Sequence, residues 1–370
     1  MATINEQLRD EAISHALFVS RYSTGVSKRM VKILNESDAE LTARLLVAMD
    51  GLAPNSFTVR QLEGLLGSVR QINQTAIQAT FSTLAEELQS FADHEAGYQL
   101  SLFDSILPQP VKHRFPLAAI TADQVYAATM AQPFQGRLLS EWATNLENDR
   151  LARITNAVRV GYLTGKPTEQ IARNVRGTAT NNFQDGAIQV SRANATSITK
   201  TAISHLAATA RNQFAEHNSD IVDCKDWLST LDNKTTPACI IRDRLRYTLD
   251  NKPIGHQVPY LQGPGRIHFC CRSTETLVTK SWRELGIDVD EMDAGTRASM
   301  DGQVAAQTTY SEWLSQQSLY RQVQVLGDTR ARLLQNGGMK VPDFFSDKGE
   351  WITLNKLKEI DAAAFEKAGF

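Results

Sequence analysis

Nowhere in the chain do eighteen uncharged apolar residues stand together, and the opening MATINEQLRDEAIS has no basic segment followed by an apolar one. Neither a membrane span nor a secretion signal is therefore expected. Cysteine is scarce. Cys224, Cys239, Cys270 and Cys271 are the whole complement, too few for a disulfide scaffold, yet close enough in sequence to suggest one shared purpose or none. Charge of one sign is lacking too. With 39 Lys and Arg against 41 Asp and Glu the formal net charge is -2, so any nucleic-acid contact must be regional. No glycine-rich phosphate loop is present: GPGR, Gly263 to Arg266, follows no clear strand and opens no helix, and reads as a turn. What remains is a 370-residue chain, 42% apolar and 22% charged, an ordinary globular composition long enough for two or three cores.

The pattern is mainly α. The first hundred residues read as helix, broken at Ala53–Ser56, with apolar side chains at Leu62, Leu65, Val69, Ile72, Ala76, Phe81, Leu84, Leu88 and Phe91 at intervals of mostly three and four. Such a stripe packs on an internal partner or serves as an assembly arm. Pro108, Pro110 and Pro116 mark a boundary through which helix is not expected to run. A helix follows with Leu139, Trp142, Leu146, Ile154 and Val158 on one face and Arg150, Arg153 and Arg159 among its polar positions, stopping at Gly165. Another starts at Lys166-Pro167-Thr168, and a loop at Thr178–Gly186 leads to a helix from Ala187 to about Phe214, rich in Ala, Ser and Thr. Trp142 is read as a core anchor and His205 as a lone interior or surface histidine.

From Asp223 helical periodicity is lost, and RLRYTLDNKPI resembles a strand entering an Asp-Asn turn. A small irregular β element is expected there. Beyond Lys280 helices return, with Trp313, Leu314, Tyr320, Val323, Val325 and Leu326 as core residues, Gly337-Gly338 as a stop, and a last helix after Thr353 turning Leu354, Leu357 and Ile360 inward. The domain reading is 1–107 as a helical N-terminal assembly region with long helices, 108–280 as a helical central domain carrying the β element, and 281–370 as a helical C-terminal region.

The stretch IHFCCRST, 267–274, holds the chemistry-bearing residues. His268 and Cys271 have H-x2-C spacing, and Cys239 is a third soft ligand, so Cys239, His268 and Cys271 form half a zinc motif. Reduced buried thiols are the plainer alternative, a Cys239–Cys271 bridge outside the reducing compartment is a third, and a thiol nucleophile with His256 or His268 as base is a fourth. A metal-dependent nuclease would draw on His268, Asp243, Asp250 and His256, although Asp232 and its neighbours suit turn-capping equally well.

The order of pieces from about Phe134 to Leu277 resembles the phage head morphogenesis family named after the F protein of phage Mu, the minor head proteins. The resemblance rests on FQGRLLSEWATNLENDRLARI, GYLTGKPTEQIARNV, ITKTAISHLAATARNQF, WLSTLDNKTTPAC and IHFCCRST. Trp227, Asp232, Thr235, Cys239, His268, Cys271 and Arg272 fall on its most characteristic positions. Many members carry two cysteines where this chain has only Cys239, and another where it has Ser273, a departure that weakens a four-cysteine zinc site. RASMDGQVAAQTTYSEWLSQQSLYRQVQVLGDTRARLL also looks like the region that commonly follows the signature. The resemblance implies a virion component rather than an enzyme, lying in the head interior near the portal and in the host cytoplasm during assembly. Its implied partners are the portal protein, the major capsid or scaffolding protein, and packaged DNA. It further implies a role in head assembly and in DNA packaging or ejection, with the signature as a fold-locking device with or without zinc. Arg150, Arg153, Arg159, Lys166, Arg173 and Arg176 are the candidates for phosphate contact, against the alternative of a solvated helix face. A DNA-processing nuclease centred on His268 and the cysteines is the rival reading.

Overall fold

The computed structural model describes residues 3–50, 59–281, 283–286, 296–299, 302–305 and 308–370. Two very long helices open the chain, α1 (Ile4–Asp50) and α2 (Val59–Ile106); the expected break at Ala53–Ser56 lies outside the described residues. Along α1 the buried apolar positions are Leu8, Ala12, Val19, Val26, Met30, Leu34, Leu41, Leu45 and Met49, a three-four spacing that keeps one face turned inward. His15 and Asp38 fall on the same stripe and are buried with it.

The proline-rich stretch contains helix after all. α3 (Gln109–Arg114) is a single short helix with Pro108 at its N-cap and Pro110 in its first turn, where a missing N–H costs nothing. Next come α4 (Ala122–Ala131), α5 (Leu139–Leu163), α6 (Thr168–Arg176) and α7 (Gln189–His217). The loop before α7 is tight: a Cβ on Gly186 would stand 2.3 Å from the Arg176 carbonyl carbon, so only glycine fits. Asp185 closes it by accepting from the Thr178 N–H at 2.8 Å and from the Thr178 hydroxyl at 2.8 Å.

The β element is an antiparallel sheet of order β3-β2-β1-β4, comprising β1 (Val222–Leu228), β2 (Arg246–Thr248), β3 (Pro253–Ile254) and β4 (Thr274–Thr279), with the helical turn α8 (Pro237–Ile240) between β1 and β2. β1 is central, pairing Lys225 with Tyr247 on one side and Trp227 with Glu275 on the other. The C-terminal region is not helical throughout as expected. β5 (Thr296–Ser299) pairs with β6 (Gly302–Ala305). Then follow α9 (Tyr310–Ser315), α10 (Leu319–Leu326), α11 (Asp328–Arg332), α12 (Leu354–Ile360) and α13 (Ala362–Lys367). Trp313, Leu314 and Leu326 are core residues, whereas Tyr320 is 72% exposed and Ile360 61%; these helices are short, and each buries three positions at most. Thr353 caps α12 by accepting from the Lys356 N–H.

Compact units do not follow the linear boundaries 1–107, 108–280 and 281–370. One is built from 1–19, 93–125 and 207–370, the other from 20–92 and 126–206. The reason is that α1, α2 and α7 each contribute to both. In the second unit, Leu41, Leu45, Leu65, Val69, Ile154, Val158, Ile171 and Val175 make one core, so the α2 stripe packs internally rather than standing free as an arm. Among the described residues no helix is long and apolar enough to cross a membrane.

Candidate functional site

Four stretches of the first unit meet around the cysteines. Trp227, at the end of β1, is buried with its ring edge-on to Tyr260 at 5.8 Å. The chain then turns: Asp232 Oδ1 accepts from the Lys234 N–H at 2.9 Å, and the Thr235 hydroxyl donates to the Thr230 carbonyl and to Asp232 Oδ1. These bonds set up α8, whose one turn points Cys239 inward, and the Ser229 hydroxyl donates to the Cys239 carbonyl at 2.7 Å. On the other side, the Cys271 N–H donates to the His268 carbonyl at 3.2 Å. Cys270 adopts a left-handed backbone, φ 56, which exposes its own side chain and buries that of Cys271.

Arg272 closes the two loops on each other. Its guanidinium meets the Asp232 carboxylate with both ends, Nη2 to Oδ1 at 2.9 Å and Nη1 to Oδ2, and the Thr230 hydroxyl donates to the Arg272 carbonyl at 3.1 Å. Burial alone would raise Asp232, but the hydrogen bonds from Arg272 and from the Lys234 N–H outweigh it and hold the carboxyl below its ordinary value.

Inside this clamp Cys239 Sγ lies 3.5 Å from His268 Nε2 and 3.7 Å from Cys271 Sγ. His268 Nδ1 is 3.0 Å from the Phe269 carbonyl, so Nδ1–H donates there and Nε2 faces the sulfurs. The contact shifts the two thiols in opposite directions. Cys239 is pushed well up, first by its hydrogen bond to Cys271 and then by burial. Cys271 is held down by accepting from Cys239, against burial, with help from the backbone N–H groups of Ser273 and Gly265.

Does this set suit a metal? Tetrahedral zinc, with sulfur at about 2.3 Å and nitrogen at about 2.0–2.1 Å, holds two sulfurs about 3.8 Å apart and a sulfur and a nitrogen about 3.6 Å apart. The 3.7 and 3.5 Å separations match. Two cysteines and a histidine with its second nitrogen fixed by a carbonyl are also the donor chemistry that zinc takes. Cys239, His268 and Cys271 therefore fit three corners of a zinc site. Among the described residues no further His, Cys, Asp or Glu joins them, but buried Ser273 hydrogen-bonds to both sulfurs. Bound there, zinc would supply folding energy.

Comparison with protein-family models, with curated proteins and with solved structures finds no match to this chain.

The other candidates do not gather. Asp243, buried, accepts from the Ser229 N–H and the Tyr310 N–H, both at 2.7 Å, and so ties the knot to α9. His256 Nε2 bonds the Arg246 carbonyl at 2.8 Å, and Asp250 sits exposed in the β2–β3 turn. Neither belongs to the His268 cluster. Cys224 is buried on β1, on the face opposite Trp227 by strand alternation, and burial, followed by the Asp223 charge, pushes its thiol up to about 12. The four cysteines thus serve no single purpose.

Among the basic residues Arg150 must be withdrawn as a DNA contact. It is 1% exposed and locked onto Asp38. Arg153 pairs with Asp149 at 2.8 Å and Arg173 with Glu169 at 3.3 Å, one helical turn away in each case; Arg176 lies over the Phe183 ring at 4.5 Å. Arg159 is exposed and Lys166 half-buried. Trp142 is half-buried and donates to the Phe134 carbonyl at 3.1 Å, while His205 is interior with its ring 5.6 Å from that of Phe134. Sequence reasoning missed Asp243, Tyr310 and Tyr260 as parts of the knot; Tyr310 donates to the Asp232 carbonyl at 2.8 Å. Their only signal was a polar or aromatic residue in an otherwise irregular stretch.

Proposed function

We propose that the chain is a minor head protein of a tailed bacteriophage, a non-catalytic component of the head interior that joins the portal, and the capsid or scaffolding shell, during assembly. In this reading the knot is a brace: it gives an irregular segment a single shape, so that the surface offered to partners is fixed. Packaging or ejection of DNA is served by position in the head, with the exposed Arg159 the basic residue offered to phosphate.

One observation carries the reading. The residues on which the resemblance rests, Trp227, Asp232, Thr235, Cys239, His268, Cys271 and Arg272, lie far apart in sequence and share one clamp, with both sulfurs buried and the Arg272–Asp232 ion pair holding two loops together. A nucleophile or a hydrolytic metal needs a face open to substrate, and here the thiols look inward.

The test is particle composition. His268→Ala and Cys271→Ala are expected to lower the thermal stability of the chain and its incorporation into heads, together with its co-purification with portal protein. Heads that form normally with these variants while a DNA-cleaving activity of the folded chain vanishes would overturn the proposal in favour of the nuclease.

A further inference from the structure

A second group of ligating side chains stands away from the cysteines, between α1 and α2. His15 on α1 is 4% exposed and Glu95 on α2 is 0% exposed, while His94 beside Glu95 is exposed. Their ligand atoms all lie within 4.8 Å of one another. His15 Nε2 approaches Glu95 Oε1 to 2.8 Å, yet both carboxylate oxygens and both His15 nitrogens are buried without a hydrogen-bond partner, the approach lacking hydrogen-bond alignment. A sealed carboxylate with no donor on either oxygen is costly. The rings are also held in place: His15 stacks on Tyr98 at 4.0 Å and 11°, and His94 lies 4.9 Å from Phe18. Preset ring orientation is what a ligand imidazole needs.

We propose that His15, His94 and Glu95 bind a divalent first-row transition ion, zinc by the ligand set, and thereby fasten α1 to α2. Two imidazoles and one carboxylate are a three-donor set that zinc accepts with a fourth position left to water, and the exposed His94 puts that position at the solvent side. The ion would neutralise Glu95 and give the buried His15 nitrogen a partner. Nothing in this site shares a residue with the cysteine knot, so the two stand or fall separately.

Cobalt distinguishes them, because thiolate ligands give an intense near-ultraviolet charge-transfer band and nitrogen-oxygen ligands do not. Full-length protein stripped with chelator is titrated with Co2+ and with Zn2+. The expected result is an equivalent of Co2+ bound without the sulfur band, and a rise in thermal midpoint with Zn2+ that survives in Cys239→Ser. His94→Ala, an exposed change that spares the core, should keep the metal-free midpoint and weaken this equivalent by more than the roughly 10–100-fold that loss of a mere supporting group costs; Glu95→Gln should do the same. Absence of any sulfur-free equivalent in the wild type would overturn the proposal and leave His15 and Glu95 as a buried close pair. Unchanged binding in both His94→Ala and Glu95→Gln would overturn it equally.

Discussion

Replacing Asp38 with alanine strips the second unit of the carboxylate on which two buried arginines depend. Asp38 and Arg150 are each 1% exposed and the Arg192 side chain 8%. Arg150 Nη2 meets Oδ1, and Arg192 reaches Oδ2 through Nε at 3.0 Å and Nη2 at 2.5 Å. After the substitution Arg150 keeps Asn73 Oδ1 at 3.2 Å, and Arg192 keeps the Phe183 carbonyl at 3.0 Å, so both guanidiniums remain buried with neutral acceptors only. Breaking one buried pair costs about 3–5 kcal/mol, and with two orphaned cations the expectation is the upper end, about 4–5 kcal/mol. In a unit of this size each kcal/mol moves the midpoint by about 2–4 °C, so calorimetry should show a fall on the order of 8–20 °C. Because the charges are out of solvent, the loss should persist at high salt, whereas a surface pair would be screened. The triple change Asp38→Leu, Arg150→Met, Arg192→Leu, which removes every charge together, should recover most of the stability. A shift for Asp38→Ala below about 3 °C, or one that salt abolishes, would refute the burial argument.

Two further outcomes follow from groups already placed. Ser273→Cys puts a third sulfur beside Cys239 and Cys271 and should tighten zinc binding by on the order of 100-fold in a chelator competition, a closed four-donor site being the structural form; equal affinity would show that Ser273 does not border the ligand position. Asp185 is held down to about 2 from 3.8 by the Thr178 N–H first, then by the Asn181 and Thr178 side chains. The folded carboxyl is the more acidic, so its contribution is present above the unfolded value and is lost as pH falls through about 2. The Thr178 amide resonance should titrate with that midpoint, and a midpoint near 4 would remove the capping role.

How far the sequence spoke can be judged element by element. Glycine and proline punctuation located the C-terminal end of α5, the start of α6 and the close near Gly338, because φ limits act locally. The knot was legible as a set of residues, since a His-Cys pair with soft partners has few uses, but its geometry was not: the Cys239–Cys271 approach depends on a left-handed Cys270 and on Asp232 meeting Arg272. The compact units differ from the linear boundaries because composition shifts are read along the chain, while one helix can serve two cores. Arg150 failed for a subtler reason. Leu146, Arg150, Ile154 and Val158 recur every four residues and all are buried, so Arg150 occupies a stripe position although its type suggested a solvent face. Period outweighed residue type.

The same rule reads the long helices. On α1 the polar residues His15 and Asp38 stand where the stripe requires apolar ones, and on α2 Asn73 and Glu95 do likewise. A plain apolar stripe is nearly degenerate, because sliding a helix by seven residues returns apolar side chains to apolar places at little cost in buried area. The polar interruptions break that degeneracy. A heptad slide of α1 would carry Asp38 away from Arg150 and Arg192, and His15 away from Glu95, leaving charges buried without partners at several kcal/mol each. Only one register satisfies both positions. Buried polar groups that contribute little to net stability therefore decide which of several well-packed arrangements the chain adopts.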